Sequence, residues 1–178
     1  INEVKIMDKK LEKSFNEQIN AELYSEYLYM AMKTFFKKHN LQGFANWFDV
    51  QVQEEHAHAL GMYEYVIERG GDVELLAIDK PVVEGNTPLE VMEHVLRHEK
   101  YVTSRINGLL DVAEEEKDRA AISFLDWYVK EQVEEEGNAT KLIATLKLIG
   151  DDKHALLMLD RELHVCRSEE RRVGKECR

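Results

Sequence analysis

Four stretches of this 178-residue chain place apolar side chains at alternating steps of three and four, and that rhythm leaves few architectures open. Between Asp8 and Lys38 the series runs Leu11, Phe15, Gln18, Glu22, Ser25, Tyr29, Met32 and Phe36. Gly43 to Glu68 repeats it with Phe44, Phe48, Gln51, Glu55, His58, Met62 and Tyr65, and Gly70-Gly71 ends the run. A third series, Met92, Val95, Glu99, Val102, Ile106, Leu109 and Ala113, follows Thr87-Pro88. Thr87 is a good cap, Pro88 suits the first helical position, and Glu90 completes a capping box. The fourth series runs Ala121, Leu125, Tyr128, Gln132, Glu135, Ala139, Leu142 and Leu146, up to Gly150. Helices of this length are each about 40 Å long and bury one stripe, which is the pattern of a helical bundle. Residues 72–86, with Pro81, Gly85 and Asn86, carry no stripe and read as one long crossover between the second and third helices.

The expected fold is therefore all-α: a four-helix bundle over residues 1–150, plus a short fifth helix (Ala155–Val165) closing the same domain at 151–166. Residues 167–178, RSEERRVGKECR, hold five basic and three acidic residues and read as a disordered tail. Residues 1–6, ahead of Met7, read as an upstream extension or a remnant foreign to the fold. Few glycines (9) and prolines (2) argue against a turn-rich β fold. A net charge of −11 argues against nucleic acid or anionic lipid as the main partner and favours cations. No apolar run reaches the ~18 residues of a membrane span, and no signal peptide precedes the first amphipathic segment. Cys166 and Cys177 offer no disulfide framework, so a reducing cytoplasm is the expected location.

Each long helix carries a carboxylate in its buried stripe: Glu22, Glu55, Glu99 and Glu135. Desolvating an unpaired carboxylate costs several kcal/mol, so each needs a partner. No stripe position carries Lys or Arg. Protonation at strongly raised pKa is one way out; metal is the other, and two divalent cations balance four carboxylates. Glu55-x-x-His58 points to metal, because residues at i and i+3 share a helix face and converge on one point. Of the seven histidines only His58 has a Glu three residues before it. Oxygen-rich ligation with one imidazole suits iron, with manganese and zinc as competitors. His94 and His98, four apart on the third helix, read as surface or packing histidines.

The chain here resembles the non-haem ferritins of bacteria and archaea over about residues 8–166. The stretches that carry the likeness are NEQINAELYSEYLYM (16–30), FANWFDVQVQEEHAHAL (44–60), HEKYV (98–102) and FLDWYVKEQVEEE (124–136). The arrangement of carboxylates plus Glu-x-x-His is that of di-iron helical bundles in general. The resemblance implies that Glu22, Glu55 and His58 hold one iron and that Glu55, Glu99 and Glu135 hold the second, with Glu55 bridging. It also implies that Gln132 is a polar neighbour of the second iron and that Tyr29 and Trp127 lie near the site. Glu54, Glu131 and Glu134, with Glu135, would form an adjacent third metal site; a solvated acidic face is the plainer alternative. Bacterioferritin has a second Glu-x-x-His, where this chain has Gln132-Val-Glu-Glu135, and a haem-ligating Met, where this chain has His56. Haem is therefore not expected.

The resemblance further implies storage of iron with ferroxidase activity. Two Fe(II) would be oxidised together by dioxygen or peroxide, and the ferric product would leave for the cavity of a cage of twenty-four subunits. A rubrerythrin-like oxidase would normally carry a Cys-rich iron site, which two cysteines near the C-terminus do not supply. A non-catalytic interaction bundle would leave the four stripe carboxylates without a purpose.

Overall fold

The computed structural model describes residues 7–173 as five helices: α1 (Lys9–Lys38), α2 (Gln42–Glu68), α3 (Pro88–Glu115), α4 (Arg119–Ile149) and α5 (Lys153–Val173). The first four follow the expected stripes. Asp8 caps α1 by accepting from Lys10 N at 2.7 Å, and Asp118 caps α4 by accepting from Ala121 N at 3.1 Å. Thr87 and Glu90 close the expected capping box of α3. Residue pairs along each contact show the directions. Phe36–Phe44 and Phe15–Tyr65 set α1 antiparallel to α2. Ser25–His98 and Gln18–Arg105 set α1 antiparallel to α3. Tyr65–Phe124 and His58–Trp127 do the same for α2 and α4.

The crossover, residues 69–87, is tied to α1 rather than hanging free. Asn16 Nδ2 donates to Asp72 O at 2.9 Å and Asn16 Oδ1 accepts from Glu74 N at 2.8 Å. Asn20 Nδ2 donates to Ala77 O at 3.1 Å. These amides satisfy an extended backbone that has no strand to pair with.

Two apolar clusters fill the bundle, one toward each end. Phe36, Phe44, Phe48, Met92 and Leu146 belong to one, and Leu11, Phe15, Met62, Ile106 and Leu125 to the other. The stripe carboxylates occupy the layer between them.

The last helix departs from expectation. It was expected to end at Val165, yet α5 continues to Val173, so 167–173 is helical rather than a disordered tail. The reason is local: between Val165 and Gly174 the chain has no Gly or Pro to stop a helix. Residues 1–6 and 174–178, where the extension and the rest of the tail were expected, lie outside the described residues. Two turns into α5, Asp160 Oδ1 accepts from Phe44 N at 3.0 Å and supplies the cap that Leu41 cannot give α2. The two backbones approach so closely that a Cβ at Gly43 would sit 1.6 Å from the Asp160 carbonyl oxygen. Among the described residues no helix is long and apolar enough to cross a membrane.

Candidate metal centre

α1 and α2 place Glu22, Glu55 and His58 in the layer between the two apolar clusters, each at most 4% exposed. One candidate ligand atom from each lies within 4.8 Å of the other two. His58 Nδ1 stands 3.9 Å from Glu22 Oε2 and 3.9 Å from Glu55 Oε2. A small cation fits among such atoms, since metal–oxygen and metal–nitrogen bonds are about 2.0–2.6 Å. Glu22 Oε2 is fully buried and has no hydrogen-bond partner. Such an oxygen is costly unless a cation, or a proton shared with the neighbouring Glu55 carboxyl, completes it.

α3 and α4 contribute the other half. Tyr29, wholly buried, donates its hydroxyl to Glu99 Oε1, and Gln132 Nε2 donates to Glu99 Oε2 at 3.0 Å. Glu135 is buried on the same stripe of α4. Glu55, Glu99 and Glu135 do not draw together as tightly as the first three; among the described residues only Glu22, Glu55 and His58 form so compact a group. The Glu55 carboxyl nonetheless feels the charges of Glu99, Glu22 and Glu135.

Burial drives all four carboxyls above the ordinary carboxylate range. Glu22 is raised by burial, and Glu55 rises well above that range by burial and then by repulsion from Glu99 and Glu22. Burial also pushes Glu99 up to about 7. Glu135 is pushed up to about 9, by burial first and then by the charges of Glu99, Glu54, Glu131 and Glu134. His58 is lowered to about 4 by burial, which keeps it a neutral imidazole and therefore able to ligate. The metal-free centre thus holds protons where bound cations would leave carboxylates. Protonation and metal, the two remedies for the buried charge, would act on the same groups.

Glu54, Glu131 and Glu134 are partly buried and act on Glu135 through their charges, so the acidic set lies beside the centre. Gln51 Nε2 donates to Glu54 Oε2 at 2.6 Å, while Gln51 Oε1 is buried without a partner. Trp127 meets the His58 ring edge-on at 5.4 Å but is 49% exposed, so it lines the outer side of the site. His98 packs as a buried ring against Tyr24 and Tyr29, with Nε2 2.8 Å from Ser25 Oγ.

Sequence reasoning missed the groups that orient the candidate ligands. Gln18 Nε2 donates to Glu22 Oε1 at 2.7 Å, and Arg105 Nε donates to Gln18 Oε1 at 3.2 Å. On the opposite side Thr103 Oγ1 donates to Glu136 Oε1 at 2.6 Å and lies 3.3 Å from Gln132 Nε2. One signal was available: Gln18 precedes the stripe glutamate Glu22 by four residues, a spacing at which helical side chains meet.

The chain matches the family model of the ferritin-like domain over residues 12–149. It is 42% identical over 146 residues to a bacterial non-heme ferritin of Bacteroides fragilis (strain 638R), covering 82% of this chain and 92% of that one. A bacterial non-heme ferritin of Staphylococcus aureus (strain USA300) is 38% identical over 158 residues, or 89% and 95% of the two chains. An open pore ferritin from the hyperthermophilic archaeon Archaeoglobus fulgidus superposes with a TM-score of 0.86 at 50% identity, covering 88% of this chain and 96% of that chain. A five-helix bundle with a carboxylate and histidine centre in its middle layer, matched at these identities over most of its length, belongs to the ferritin-like family, among the non-haem ferritins.

Proposed function

We propose that this protein stores iron and that its buried centre is a ferroxidase site. The observation that carries the reading is the compact group of Glu22, Glu55 and His58, with Glu22 Oε2 buried and unpartnered. Glu22, Glu55 and His58 bind one Fe(II); Glu55, Glu99 and Glu135 bind the second, with Gln132 beside it. Support for Glu55 as the bridge is its position under the influence of all three other stripe carboxylates.

Each iron gives one electron, so a pair supplies two electrons to one oxidant molecule, dioxygen or peroxide. Hard carboxylate oxygens favour Fe(III) over Fe(II) and make that loss easier. Tyr29 and Gln132 keep the Glu99 carboxylate in place through their hydrogen bonds. His58, held neutral by burial, offers a lone pair at neutral pH. Protons carried by the empty carboxyls leave as iron binds, so binding strengthens as pH rises. Ligation by exchangeable carboxylates lets the ferric product depart for storage as oxide. Glu54, Glu131 and Glu134 provide a third metal position next to Glu135, and no haem is bound.

The chain assembles into a twenty-four-subunit cage, the quaternary form of this family, and works in the cytoplasm. Exposed apolar residues support assembly: Leu148, Leu157 and Met158 near the last helix, and Leu75, Ile78 and Val82 on the crossover. The test is the size and iron content of the purified protein, with stopped-flow oxidation of Fe(II). A cage of roughly 500 kDa with an iron-oxide core is expected, as is oxidation that collapses in His58→Ala. A monomer with no iron uptake, or a His58→Ala variant that oxidises iron at the parent rate, overturns the reading.

A further inference from the structure

We infer that Arg105 is a positioning residue for the first metal position: through the Gln18 amide it sets which oxygen of Glu22 faces the cation. The inference rests on the proposed reading of Glu22 as an iron ligand. Gln18 is buried on α1, one turn before Glu22, and spans the gap from Glu22 to Arg105 on α3. Its Nε2 donates to Glu22 Oε1 at 2.7 Å, while its Oε1 accepts from Arg105 Nε at 3.2 Å. A guanidinium has donors only. Whatever faces Arg105 must therefore be the amide oxygen, and the amide NH2 is left to face Glu22. Without Arg105 the amide oxygen loses the donor that holds it among the described residues, and a 180° rotation of the amide would set oxygen against carboxylate.

The orientation has a consequence for ligation. With Oε1 occupied by Gln18, Oε2 is the oxygen of Glu22 left without a partner, and it lies 3.9 Å from His58 Nδ1. It is the atom already turned toward the cation position.

Arg105 is itself anchored away from the centre. Nη1 donates to the Tyr101 hydroxyl at 3.3 Å, and the guanidinium lies 5.7 Å from the centroid of that ring. Leu76, Asp79 and Lys80 of the crossover wall the same surface groove. The second metal position has different support, since Glu99 is held by Tyr29 and Gln132, with Thr103 and Glu136 behind. Loss of Arg105 should therefore weaken one position and spare the other, which separates positioning from a general loosening of the bundle.

The experiment is anaerobic calorimetric titration of the assembled, metal-free protein with Co(II), with His58→Ala identifying the first position. Outer partners of metal ligands typically contribute about 10- to 100-fold in affinity. Arg105→Leu and Gln18→Leu should each weaken the His58-dependent affinity by roughly tenfold. The double variant should add little, because both remove the same link. Arg105→Lys, which keeps a donor and a charge, should recover part of the loss. Arg105→Leu binding Co(II) at the first position as tightly as the parent overturns the inference, as does equal weakening of both positions. Parent protein with no His58-dependent affinity would instead overturn the reading of the centre itself.

Discussion

Glu135→Gln should stabilise the metal-free protein, and by an amount that depends on pH. Glu135 is buried, and its carboxyl is pushed from an ordinary 4.5 up to about 9, by burial first and then by neighbouring carboxylates. Between those values the folded chain holds a proton that the unfolded chain has released, so parent stability falls as pH rises through that window and levels off above about 9. Each pH unit is worth about 1.4 kcal/mol. At pH 7 the cost therefore approaches about 3 kcal/mol, a ceiling because nearby carboxylates redistribute protons among themselves. Gln has the same shape and no such titration. The metal-free variant should melt several degrees above the parent at pH 7, given about 2–4 °C per kcal/mol for a chain of this size. The gap should be small near pH 5, widen toward pH 8 and stop growing above pH 9. Saturating metal should shrink or reverse the order, since Gln replaces a proposed ligand and binding to the native state alone raises stability. Thermal scans in chelator and in Zn(II), at one protein concentration and several pH values, provide the assay. A variant that melts below the parent in chelator at pH 8, or a gap that ignores pH, would refute the reasoning.

Further outcomes follow from the same geometry. Glu55→Ala should slow stopped-flow Fe(II) oxidation by at least roughly tenfold, and more than Glu22→Ala, because it removes the proposed shared ligand; the exposed Glu114→Ala serves as control. Glu131→Ala combined with Glu134→Ala should leave the two-iron centre occupied but change the iron-to-oxygen stoichiometry. Two anomalous iron peaks in both parent and variant crystals would leave those residues as acidic surface. Gly43→Ala should cost about 1–3 kcal/mol and expose α5 to protease, since the added methyl would meet the Asp160 carbonyl. An unchanged melting temperature and cleavage pattern would mean that α5 does not bear on Gly43.

What the sequence determined by itself was periodic or local. A step of three and four over some thirty residues is the signature of a helix with one buried face, so the number, length and inward face of the four long helices were legible without coordinates, while the end of α5 was not. Caps such as Thr87 with Glu90 bond within a single turn and were legible for the same reason. Glu55 and His58, three apart, had to share a face, and carboxylates in every stripe had to meet once the stripes did. Tertiary structure decided whatever joins residues distant in sequence. The partner that caps α2, Asp160, is 116 residues from Phe44, and no local rule pairs them. Arg105 lies off the apolar stripe of α3 and reads as one more surface cation until α3 is laid antiparallel on α1, 87 residues earlier. The middle layer also required packing to exist, because burial arises only when two apolar clusters close above and below it. That closure raises the carboxyls, keeps His58 neutral and turns four ordinary glutamates and a histidine into a candidate place for metal.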